Sequence, residues 1–158
     1  YNRTLRSETA WGYLAGSSLP IKDFVNSNNW GWTTKITGTG TYIFDLYAGA
    51  GQNIISNGTL VGNVEVIVSE GSIAGLFNVE VTYMINQALP VDYWLNQTHV
   101  WIGSTAQPMQ NKNKMTNAPG QYNYSPSISM DGNIATVTAN DVEGPFWIAL
   151  HSVVQWWE

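Results

Sequence analysis

At 158 residues the chain has room for one domain, with 44% hydrophobic and only 11% charged residues against a usual charged share of about 25%. Six basic residues and a net charge of -5 leave no basic field for phosphates, so nucleic-acid binding is not expected. No cysteine is present for disulfide or thiol chemistry, and no apolar run approaches the roughly 20 residues that span a bilayer, so membrane insertion is not expected either. The chain begins at Tyr1 with no initiator methionine or leader-like stretch, which suits either a mature product whose targeting segment was removed or a piece cut from a longer chain, and the expectation is an extracellular or cell-surface location.

In chain order, residues 1–7 read as a short, strand-compatible N-terminal arm, and Ile21 to Asn26 as a single helical turn. Alternating runs rich in β-branched and aromatic residues follow at Thr41–Tyr47, Leu60–Val68, Leu76–Ile85, Thr98–Ile102, Ile134–Thr138 and Phe146–Val154. Turn signals separate them at Thr37–Gly40, Asn57-Gly58, Glu70-Gly71 and Asp131-Gly132, with Asn57-Gly58 and Asp131-Gly132 suited to tight hairpins. Ala106 to Pro126 is rich in Pro, Asn and Gly and reads as a long loop of the kind that often carries function. Residues 155–158 form a C-terminal tail. No segment carries the helical apolar recurrence, so the expectation is an all-β, single-domain antiparallel β-sandwich over 1–158, with jelly-roll and immunoglobulin-like connections both compatible.

The segments Glu8–Tyr13, Asn29–Thr33, Tyr42–Gln52, Gly58–Gly62, Thr98–Gly103 and Ala118–Tyr122 together resemble an uncharacterised family of secreted bacterial β-rich proteins. The resemblance covers most of the chain and implies secretion and one compact domain; it carries over no catalytic or binding residue. Two positions that are often cysteine in that family are Asn53 and Gln155 here, which implies that these two lie close together.

Catalytic groups are scarce. The only histidines, His99 and His151, sit in strand-like runs, so a zinc site built on several imidazoles is not expected, and neither Ser104 nor Ser152 stands in a nucleophile elbow. Asp45, Glu65 and Glu80 interrupt apolar alternations and read as solvent-facing strand residues. Asp131 with Asn133, and Asp141 with Glu143, offer oxygen ligands for calcium, although turn chemistry explains them more simply. No catalytic residue, cofactor or metal is assigned, and an enzyme is not expected.

Eight tryptophans are the most unusual feature. Trp30 and Trp32, two apart, would share a face if their segment is a strand, and with Trp101 they form the candidate platform for a glycan. Trp156 and Trp157 are adjacent, so extended backbone directs them to opposite sides and leaves one exposed. Four N-x-S/T sequons make Asn2, Asn57, Asn96 and Asn123 candidate glycosylation sites. The reading favoured is a surface structural protein that associates with copies of itself or other envelope components through Tyr1, Leu5, Trp156 and Trp157, as a subunit of a fibre or other assembly. A carbohydrate-binding module is the alternative.

Overall fold

The structure, a computed structural model, describes residues 2–110 and 114–158. It is an antiparallel β-sandwich of twelve strands: β1 (Leu5–Tyr13), β2 (Leu19–Pro20), β3 (Trp32–Ile36), β4 (Gly40–Ala48), β5 (Thr59–Glu70), β6 (Leu76–Ile85), β7 (Trp94–Gly103), β8 (Met109–Gln110), β9 (Lys114–Met115), β10 (Ser127–Ile128), β11 (Ile134–Glu143) and β12 (Phe146–Trp157). The hydrogen-bonded path runs β10-β11-β6-β5-β4-β1-β12-β3-β2, with β7 on the other edge of β12.

Strand β1 joins the two layers. Its N-terminal half pairs with β12 (Leu5↔Trp157 to Trp11↔His151), and its C-terminal half pairs with β4 (Ala10↔Ala48 to Tyr13↔Asp45). Small residues permit the crossing: a Cβ on Gly12 would lie 2.9 Å from the Leu150 side chain.

The alternation in the sequence sets the core. Phe44, Leu46, Val64, Val66, Val79, Val81 and Tyr83 of one layer meet Val100, Ile102, Phe146, Ile148, Leu150 and Val154 of the other, all buried. Each large side chain so buried contributes about 1.5–3 kcal/mol relative to exposure. The Tyr83 hydroxyl crosses the layers and donates to the His151 carbonyl at 2.9 Å. Three buried hydroxyls are satisfied in the same way: Thr33 donates to the Ala106 carbonyl, Thr98 to that of Pro126 and Ser152 to that of Ala10.

Three local expectations change. Residues 5–7 are the start of β1, so the N-terminal segment is ordered against β12 instead of standing free as an arm; likewise residues 155–157 complete β12. Asn57-Gly58 does not close a tight hairpin, because β4 and β5 are joined by two 3-10 turns, Gly51–Asn53 and Ile55–Asn57, while Asp131-Gly132 does turn β10 into β11. Asn53 and Gln155 have separate partners, the Gly31 backbone for one and Ser7 with Trp94 for the other.

Candidate functional site

Two features of the β1/β12/β7 layer stand out: an aromatic cleft on its outer face and an open strand edge at its terminal end.

The odd-numbered residues of β12 and their cross-strand neighbours build the outer face. Trp11, His151 and His99 lie side by side across β1, β12 and β7, since Trp11 pairs with His151 and His151 with His99. Around them Trp11, Ile21, Trp32, Ala50, Trp101, Tyr122 and Ala149 form a second buried cluster, separate from the main core. Gly31 makes this packing feasible: its φ of +152° is a glycine conformation, and a Cβ there would sit 2.6 Å from the Trp11 ring. Above the cluster opens a cleft of about 330 Å³ lined by Thr9, Trp11, Asn29, Trp30, Asn117, Pro119 and His151.

The two histidines touch. Their rings stack at 5.3 Å and 21°, and the Nδ1 atoms are 3.1 Å apart. One Nδ1 therefore donates and the other accepts, so the accepting ring is neutral, and when both rings are neutral they are opposite tautomers. Burial, and secondarily the charge of His99, push His151 down to about 3; burial also lowers His99. The pair thus presents one Nε2–H donor and one bare Nε2 acceptor near neutral pH.

Of the three glycan-platform candidates, only Trp30 lines the cleft. Trp32 and Trp101 are buried in the second cluster, and the Trp101 indole donates to the Thr105 carbonyl. Trp30 and Trp32 meet edge to face at 82°, because Trp30 precedes β3 and does not share its pleat, so no flat platform forms. Trp11, Asn29, Asn117, Pro119 and His151 are the lining residues that periodicity alone did not bring together; they come from four separate segments, and only the position of Trp11 and His151 on facing strands links any of them.

The long loop reaches the same place. Tyr122 packs on Trp11 at 6.4 Å, and Asn123 fastens the loop to β7, its amide donating to the Ile102 carbonyl at 2.7 Å while its oxygen accepts from the Ile102 N–H. Asn111, Lys112 and Asn113 of this loop lie outside the described residues.

At the other end of the layer, β1 and β12 continue as a ribbon closed by a reciprocal pair of backbone bonds between Thr4 and Glu158 at 2.8 Å. Trp156 turns inward against Tyr93, while Trp157 is 47% exposed beside Trp94 with the Arg3 guanidinium over its ring. Leu5, opposite Trp157, is 46% exposed. On the side away from β12, β1 has a partner among the described residues only from Thr9 onward, where Gly49 donates to the Thr9 carbonyl. Strand alternation directs the Leu5 and Ser7 backbone groups to that open side. Tyr1 lies outside the described residues.

The remaining candidates have local partners. Asp131 accepts from Ser129 and Asn133, an arrangement that lowers its pKa, and Asp141 accepts from Ser72 at a bulge in β11. Among the described residues no three metal-ligating side chains converge. Asp45 and Glu80 are exposed and Glu65 half-buried on the outer face of the β4-β5-β6 layer. The sequon residues Asn2, Asn57, Asn96 and Asn123 are all exposed, and the Asn123 amide is engaged with Ile102.

Comparison of the chain with family models, with curated proteins and with solved structures finds no match.

Proposed function

We propose that the chain is an extracellular structural domain that assembles with copies of itself through its strand edges. The observation that carries this is the terminal ribbon, whose β1 segment leaves backbone groups unpaired on one side and carries exposed Leu5 and Trp157 at its end. An uncovered edge is a template for another strand, and natural proteins usually guard such edges with lysine, proline or a bulge. Here the outward-facing residues Leu5 and Ser7 are uncharged, and the charges of the segment, Arg6 and Glu8, lie on its other face. The sparse charge of the whole chain adds little repulsion between copies.

Replacing Ser7 by proline tests it. The Ser7 N–H points away from β12, so proline there removes an edge donor and leaves the backbone bonds to β12 in place, losing only the side-chain bond that Gln155 donates to the Ser7 hydroxyl. Sedimentation velocity over a concentration series should show the intact chain associating and Ser7→Pro remaining monomeric with unchanged circular dichroism; a monomeric parent chain throughout the series would contradict the proposal.

The cleft supports a second reading, a site for a neutral glycan. The partly exposed Trp30 ring beside the amides of Asn29 and Asn117, with only the edge of the buried Trp11 reaching the cleft, suits a ligand with apolar faces and hydroxyl edges. Trp30→Ala should abolish any change in tryptophan fluorescence produced by neutral polysaccharides; a panel that leaves the parent spectrum unmoved would remove this reading.

A further inference from the structure

Strand β4 also has an open segment. It pairs with β5 along its whole length, from Gly40↔Val68 to Ala48↔Thr59, but with β1 only over Asp45–Ala48. The bonds between β1 and β4 place the Asp45 and Tyr47 backbone groups toward β1, so those of Ile43 and Thr41 face the same side with no partner among the described residues. Thr41 is exposed and Ile43 is 47% exposed, so no side chain from elsewhere covers this stretch.

The two open segments belong to one seam. Within the chain β1 residue 10 faces β4 residue 48 and residue 13 faces residue 45. Extended along the same line, β1 is open at 5–7 at one pole and β4 is open at 41–43 at the other. On each strand the open side is the one that faces the other strand inside the molecule. A copy displaced along the seam by ten residues, roughly 33 Å at the usual strand rise, brings its β4 segment 40–44 beside the β1 segment 4–8 of the first, with Arg3 of the first turned out of the line because the second copy's own Tyr13 lies opposite its Asp45.

We infer that a second copy of this chain docks its Thr41–Ile43 edge on the Leu5–Ser7 edge of the first, antiparallel, with Leu5 opposite Ile43 and Ser7 opposite Thr41. This rests on the self-association proposed above and names the surfaces that make it. The shift of ten is even, so it keeps the outward-facing residues of both strands in register, and Leu5 and Ile43 project from the same outer face as the Trp11 and Tyr47 pair. Their exposed aliphatic side chains then cover each other, and Ser7 meets Thr41. The contact joins different surfaces and does not close on itself, so it propagates as a filament, and the twist between neighbouring strands makes the operator a screw.

The chain contains no cysteine, which permits a direct test. In the double variant Leu5→Cys with Ile43→Cys, mild oxidation of concentrated protein should give a ladder of covalent dimers, trimers and higher multimers on non-reducing gels, and either single variant should give nothing beyond a dimer. Light scattering of the same samples before oxidation reads association independently of the interface. Scattering that shows association with no ladder would overturn the inference while leaving self-association standing; neither association nor a ladder would overturn both. Ile43→Lys, at an exposed position that keeps the fold, should reduce association of the intact chain at least tenfold if this edge is used, and an unchanged concentration dependence would speak against it.

Discussion

His151 is the residue at which burial and protonation conflict most. It is buried between Trp11 and His99, with ring centroids 4.9 and 5.3 Å away, and its pKa falls to about 3 from an ordinary value near 6.5. An unfolded chain takes up this proton more readily than the folded one, so the stabilisation is present above about pH 6.5 and is lost as pH falls toward 3. Its size is on the order of 4 kcal/mol. Urea unfolding at pH 7.5 and pH 4 should show the parent chain losing more stability than His151→Gln over that interval; equal losses would mean that the histidine pair does not govern acid stability. At this scale the sequence revealed residue types without their company. Alternation placed His99 and His151 in strands, but their contact depends on the β7/β12 register, which no local pattern encodes. Trp30 and Trp32 fail as a platform for the reverse reason: the separation of two applies only within a strand, and β3 starts at Trp32.

At the scale of elements, six alternating runs appear as β4, β5, β6, β7, β11 and β12, because each has one face in the core; period-two burial is clearest in β4, β5 and β6, while the middles of β7 and β12 are buried on both faces by the second cluster. Strand β1 is harder to read. Its residues 5–8 are exposed while Ala10, Trp11 and Gly12 are all buried, since β1 crosses between layers and has no single solvent face. The loop between β7 and β10 has only the short β8/β9 ladder of its own and is fastened to β7 by one backbone bridge, Val100 to Tyr124, and by the two bonds between Asn123 and Ile102. Asn123→Ala leaves both Ile102 backbone groups without that partner and should cost about 2 kcal/mol, with faster amide exchange concentrated at Ile102. A loss below about 0.5 kcal/mol would show that the isolated bridge between Val100 and Tyr124 suffices to hold the loop.

For the whole molecule, the β-sandwich follows from composition and period, whereas the location of the open edges follows from topology. Two termini that read separately as an arm and a tail are partners in one ribbon, joined from Thr4 to Glu158, and among the described residues the side of β1 away from β12 is open over Leu5–Ser7. The Arg6–Glu158 ion pair at 3.4 Å adds little, since both side chains are more than half exposed. The account therefore places assembly on backbone edges and the exposed Leu5 and Ile43, with the aromatic cleft left facing outward. Negative-stain electron microscopy of the concentrated intact chain beside Ser7→Pro tests this most directly. The account predicts filaments for the intact chain and dispersed particles for the variant; dispersed particles in both, or filaments in both, would contradict it.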